Sequence, residues 1–170
     1  MLTVEDGQGR ADAESYASAE TLAKYAASVG RTFDPPDDAR VEAALRVASR
    51  YIDGTYRSSF SGQRVHQRKQ ALEWPRYNAF AGNDTVAADE IPRELVEAVC
   101  EAALRELVKP GILNPDTREG GAIRSVGAGG ASVEFSGGGY TGRSTFSAIS
   151  MAIAPLLAQM TMLVGKSGRA

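Results

Sequence analysis

The chain has 170 residues, 43% apolar and 24% charged, which fits one globular domain with an ordinary core. Its net charge of −2 argues against wholesale coating of nucleic acid and leaves room only for a local basic face. One cysteine, Cys100, excludes an intrachain disulfide, and one cysteine with one histidine, His66, argues against a zinc site of the usual ligands.

The opening MLTVEDGQGR is acidic and has no apolar h-region, so no signal peptide is expected, and the protein is expected to work in cytosol-like conditions. No apolar run reaches the ~18 residues of a spanning helix, so no membrane partner is expected. SAETLAKYAASVG (18–30) predicts a first helix, capped by Ser18 and stopped at Gly30, with Leu22, Tyr25, Ala26 and Val29 on one face. After the linker TFDPPDD, Asp37 or Asp38 is placed to cap a second helix over about 38–53. Its apolar stripe is Val41, Ala44, Leu45, Ala48, Tyr51 and Ile52, with Glu42 and Arg46 paired on the wet side and Gly54 at its end.

Residues 54–69 show no period and hold Arg57, Arg64, His66, Arg68 and Lys69, with no acidic residue between Gly54 and Gln70. QALEWPR (70–76) follows, then YNAFAGNDTVAADE, which reads as a polar loop. The third helix begins near Pro92, with Asp89 and Glu90 at its positive end and Leu95, Val96, Val99, Ala103, Leu107 and Val108 facing one way, and ends at Pro110-Gly111. Cys100 lies inside this periodic segment, where a free cysteine behaves as a small buried hydrophobe. The next stretch, 111–145, is glycine-rich, and 122–126 with 131–135 fit a short β-hairpin. SAISMAIAPLLAQMTMLVG (147–165) is apolar, broken by Pro155, and free of acid, as is everything after Glu134. Such a segment either packs back on the helical core or docks on another subunit through a glycine hinge at 137–142.

Chemistry-bearing motifs are few. GAGGAS (127–132) and SGGGYTG (136–142) lack the GxxxxGK[ST] pattern. VGKSG (164–168) has Met160 where the first glycine of a phosphate loop would stand, so these glycines read as hinges and turns. His66 has no nucleophile motif such as GxSxG to serve, and reads as a solvated or interface histidine. No catalytic residue, metal site or cofactor is expected. The loop 57–69 is the main polar signal: its arginines, interleaved with Tyr56 and Phe60, suit a phosphate backbone, and the plainer reading is an ordinary exposed loop.

Three fragments in order, RVASRYIDGTY (46–56), QALEWPR (70–76) and IPRELVEAVCEAALREL (91–107), resemble the head–tail adaptor, connector or head-completion, proteins of tailed phages and gene transfer agents. That family also carries the label putative DnaT-like single-stranded-DNA-binding protein. SYASAETLAKYAA fits its opening helix; the likeness covers about residues 14–135, and no family motif aligns with the C-terminal 35. The resemblance implies a non-enzymatic, mainly helical structural protein of the virion neck, assembled in the bacterial cytoplasm. It would form a homo-oligomeric ring, typically a dodecamer, that binds the portal protein and the stopper or tail-terminator protein. Double-stranded DNA would pass non-specifically through its lumen. The alternative is a single-stranded-DNA-binding replication accessory.

The expected fold is thus mainly α: a small bundle of three main helices with a short β-hairpin and an extended C-terminal arm or helix. Residues 1–136 would be the adaptor core and 137–170 a hinged docking segment. In that segment Ile149, Met151, Ile153, Leu156, Leu157, Met160, Met162, Leu163 and Val164 are the expected portal or partner interface. Arg57, Arg64, His66, Arg68 and Lys69 would line the DNA channel or a subunit seam. Tyr51, Ile52, Leu72, Trp74 and Pro75 form the expected core motif: Leu72 and Trp74 share one side of an extended segment, because Pro75 disfavours helix at the residue before it.

Overall fold

The computed structural model describes residues 1–32, 34, 37–114, 127–128, 131–132 and 146–158. Helix α1, Ala19–Ser28, starts where the Ser18 side chain accepts from the Thr21 amide. Helix α2, Asp38–Tyr56, starts where Asp37 accepts from Arg40; each cap satisfies an amide that the first turn leaves unpaired. The α2 stripe is buried as its spacing predicts. Gly54 does not stop the helix, which runs on to Tyr56 because Tyr56 itself has a buried site to fill.

Helix α3, Arg93–Val108, packs against α1 and α2 and against a fourth helix, α4, Ser147–Ile153. Cover on several sides explains why α3 buries more than one stripe: Ala98, Cys100, Ala102 and Leu104 are inside along with Leu95, Val99 and Ala103. Val108, at its end, is exposed. Glu101 is also inside, and tolerable there because Arg31 and Arg105 reach its Oε1 at 3.0 and 2.8 Å. Burial pushes the Cys100 thiol up to about 12, with nearby Glu97 adding to it, so it is an inert core group.

Three short antiparallel ladders occur among the described residues. Strand β1, Gln63–Arg64, pairs with β2, Arg76–Tyr77; β3, Ala79–Ala81, pairs with β4, Asp84–Val86. A third ladder joins β5, Gly127–Ala128, to β6, Ala131–Ser132. A turn of 3-10 helix, Ala154–Leu156, follows α4. This turn and the residues after it pair with the segment after α2: Ser61 donates to the Leu156 carbonyl at 3.0 Å and Ala158 to the Ser59 carbonyl at 2.7 Å.

The architecture is therefore mixed α/β, not a three-helix bundle with one hairpin and an extended arm. Two- and three-residue strands carry too little alternation to be read from sequence, so YNAFAGNDTVAADE, expected as a polar loop, contains β3 and β4. Instead of extending as an arm, residues 146–158 pack back, because α4 and the turn after it seat Ile149, Ile153 and Leu156 in the core. The expected hairpin at 122–126 and 131–135 falls largely outside the described residues, which place its pairing at β5 and β6.

Trp74 stands at the centre, fully buried, with its ring edge-on to Phe60 at 5.8 Å between centroids. Tyr51, Ile52, Leu72 and Pro75 are buried with it, and the Trp74–Pro75 bond is cis.

Candidate nucleic-acid interface

The loop from Arg57 to Lys69 is held from beneath. Phe60 donates to the Tyr56 carbonyl at 3.0 Å, turning both aromatics inward. Tyr56 shares a 2.9 Å hydrogen bond with Ser150 of α4, and Phe60 meets Trp74. Both rings are buried, so the aromatics that the sequence interleaves with arginines are core residues and cannot stack on bases. Buried Gln70 staples the loop's far end: its Oε1 accepts from the His66 amide at 2.9 Å, and its amide nitrogen donates to the Leu72 and Pro75 carbonyls. The His66 ring lies against the N-terminal segment, with Nε2 3.1 Å from the Gln8 carbonyl. It has a structural neighbour on that side.

The four other cations differ in their company. Arg68 and Lys69 are exposed, on a single 3-10 turn at Gln67–Lys69, and no ion pair joins them among the described residues. Arg57 and Arg64 approach the same oxygen, Glu73 Oε1, at 3.8 and 3.7 Å. Arg76, the last residue of QALEWPR, is the buried floor of this group. It reaches Glu73 Oε2 at 3.2 Å, donates to the Ser61 and Gly62 carbonyls at 2.8 and 2.7 Å, and lies over the Phe60 ring. Burial lowers the Arg76 pKa, and Glu73 opposes that effect.

Glu73 is fixed through its backbone. Its amide is shared between the Tyr16 hydroxyl at 2.9 Å and Asp53 Oδ2 at 3.0 Å; the Trp74 amide also donates to Tyr16, whose hydroxyl donates to Asp53 Oδ1 at 2.7 Å. Burial pushes the Asp53 carboxyl up to about 7, against the pull of the Tyr16 and Glu73 hydrogen bonds. Burial, with Asp53 alongside, puts the Tyr16 hydroxyl well above its ordinary range. Thus α2 and the segment before α1 together clamp QALEWPR and aim its glutamate at the basic loop.

Two exposed aromatics lie on the same framework, and sequence reading missed both. Tyr77 sits opposite Gln63 in the β1–β2 ladder and donates to its Oε1 at 2.6 Å. Phe80 is about half exposed, and its backbone brackets the Ser61 hydroxyl, donating to it at 2.9 Å and accepting from it at 3.1 Å. The available signal was a large residue between two alanines, Ala79-Phe80-Ala81, in which Ala79 takes the buried position. Beside Phe80 a groove of about 330 Å³ is lined by Ser61, Gly62, Asn78, Gly82, Leu157 and Ala158.

Of the expected partner-interface residues, Ile149, Ile153 and Leu156 are fully buried within the chain, Leu157 is half-buried and bridged to Phe60, and Met151 is exposed. Met160, Met162, Leu163 and Val164 lie outside the described residues. The structure therefore brings Arg57 and Arg64 together around Glu73, places Arg68 and Lys69 on the neighbouring turn, and pairs the described end of the C-terminal group, Leu156 to Ala158, with Ser59 to Ser61 of the same loop. A family model described as "Putative DnaT-like ssDNA binding protein" matches residues 1–170. No curated protein and no solved structure matches the chain.

Proposed function

The chain belongs to the family of putative DnaT-like ssDNA-binding proteins, and on that premise we propose that it is a non-enzymatic protein that binds single-stranded DNA through the basic loop 57–69. The whole-chain family match carries the reading. The surface supports it: Arg68 and Lys69 are exposed, Arg57 and Arg64 flank one carboxylate, and Tyr77 and Phe80 offer faces on which bases can stack. Four cations make a small footprint. Each phosphate neutralised on a single strand contributes ~0.7 to the slope of log K against log salt, so that slope should be no steeper than about −3. Fluorescence anisotropy of a labelled 20-mer of deoxythymidylate, titrated at several salt concentrations, measures it. Binding at low salt that weakens with this slope supports the reading, and no binding at low salt contradicts it.

A second reading is a head–tail adaptor ring, of about twelve copies, between a portal and a stopper in the neck of a phage-like particle. The ordered motif set 46–56, 70–76 and 91–107 favours it, as does the apolar, acid-free sequence after Glu134. Removing 137–170 would take Ile149, Ile153 and Leu156 out of the core, so the truncation that tests a docking tail begins at residue 159. Native mass spectrometry of the purified protein with portal protein reads the outcome. A ring that binds portal, and loses it on that truncation, supports the adaptor; a monomer indifferent to portal opposes it.

A further inference from the structure

Three arginines and one carboxylate meet at the edge of the β1–β2 ladder, and their distances divide them into two kinds. Arg76 is within hydrogen-bond range of Glu73, at 3.2 Å, and it also donates to the Ser61, Gly62 and Glu73 carbonyls. Its charge and that of Glu73 offset each other inside a half-dry site. Arg57 and Arg64 stand off from Glu73 Oε1 by 3.8 and 3.7 Å, beyond hydrogen-bond length. Neither guanidinium has a hydrogen-bond acceptor among the described residues. Two guanidiniums, each a planar fork of donors, thus stand near Glu73 Oε1, while the other oxygen of that carboxylate, Oε2, is held by Arg76. A phosphodiester is the ligand such a pair fits best, since its two unesterified oxygens match the fork as a carboxylate does.

We propose that Arg57 and Arg64 form a phosphodiester-binding clamp for single-stranded DNA, and that Glu73 is its built-in competitor, occupying the space between the two guanidiniums until a phosphate displaces them from it. This rests on the single-stranded-DNA reading and adds the site and its restraint. Glu73 suits the part because both its backbone and its carboxylate are held. The Tyr16 hydroxyl and Asp53 hold its amide, and Arg76 donates to its Oε2 at 3.2 Å, which turns Oε1 toward the clamp. The restraint also explains how a chain of net charge −2 could carry a DNA site without binding every polyanion it meets: a single phosphate gains little, whereas a strand that also engages Arg68 and Lys69 can outcompete Glu73.

The test compares wild type, Glu73→Gln and Arg57→Ala/Arg64→Ala by anisotropy with the same labelled 20-mer. Glu73→Gln keeps the backbone clamp and the side chain's size and removes the charge. It should bind at least about fivefold more tightly, the effect of one unit charge at contact distance in water. The double-alanine variant should bind at least about tenfold more weakly than wild type, with a salt slope shallower by about 1.4, two phosphates' worth on a single strand. Arg93→Ala, an exposed arginine of α3 that pairs with Glu97 away from the loop, should change nothing. Equal or weaker binding by folded Glu73→Gln, with wild type still binding, overturns the competitor and leaves the single-stranded-DNA reading standing. If Glu73→Gln does not fold, the double variant decides alone, and wild-type affinity there overturns the clamp. Binding by none of the proteins overturns both this inference and the function beneath it.

Discussion

Trp74 shows how much of this molecule hangs on single side chains. Its ring has no exposed surface and meets Phe60 edge-on, and its amide is held by Tyr16. Trp74→Ala should cost ~3–5 kcal/mol, as large aromatic truncations in cores do, measured as a lower midpoint in urea. Tyr16→Phe removes one oxygen that serves the Glu73 and Trp74 amides and Asp53. It leaves the buried Trp74 amide with no partner among the described residues, at ~1–3 kcal/mol. Asp53 contributes a dependence on pH with an unusual sign. Its carboxyl is raised in the folded state to about 7 from an ordinary value of 3.8, so the folded protein holds the proton more tightly than the unfolded chain. Stability from this group is therefore greatest below about pH 4, falls as pH rises from 4 to 7, and is level above that. Arg46 holds Glu14 low and Lys24 holds Glu20 low, and these act in the opposite sense at acid pH. The informative quantity is therefore the difference between wild type and Asp53→Asn in urea melts from pH 4 to 8. Wild type should lose ground across that range, by roughly 1.4 kcal/mol at most for each pH unit; a constant difference would show that Asp53 is ionised throughout.

At the scale of elements, legibility followed length and capping. The helices α1, α2 and α3 span several turns, and two of them have capping side chains, Ser18 and Asp37; a 3.6-residue stripe over that length is hard to mistake. The strands β1 to β4 have two or three residues each, so no period exists to read. Their pairing is set by tertiary contacts: Arg76 on the Ser61 and Gly62 carbonyls, and Ser61 on Phe80. Gly62 shows the constraint. Its φ is +67°, and a Cβ there would collide with the Tyr77 carbonyl and the Ala79 amide. Gly62→Ala should destabilise the protein by more than the ~1 kcal/mol of a left-handed alanine alone, and loosen the β1–β2 edge. Amide exchange at Val65, which donates to the Pro75 carbonyl, would report it; unchanged protection would show that the ladder does not depend on this approach. On α4, Ile153→Ala should cost ~2–5 kcal/mol, since Ile153 is wholly buried. A cost near zero would mean that the segment is free to leave the core.

For the whole molecule, the sequence made the cations of the interface visible and hid their setting. Arg57, Arg64, Arg68 and Lys69 stand out because no acidic residue lies between Gly54 and Gln70. Glu73 falls just outside that window, and only the fold turns it back onto two of them. The aromatics were inverted for a related reason. Tyr56 ends a helix whose stripe points inward and Phe60 lies four residues on, so they continue it into the core, while Tyr77 and Phe80 face out from strands too short to recognise. A single-stranded-DNA contact is then a matter of which surface meets the strand, and hydrogen–deuterium exchange of the full chain with and without a saturating deoxythymidylate 20-mer reads that surface directly. Added protection across 57–69 and 76–81, with the α1–α3 groove around Thr21, Tyr25 and Val96 unchanged, is the predicted result; protection confined to that groove, or none anywhere, would contradict a DNA interface on the basic loop.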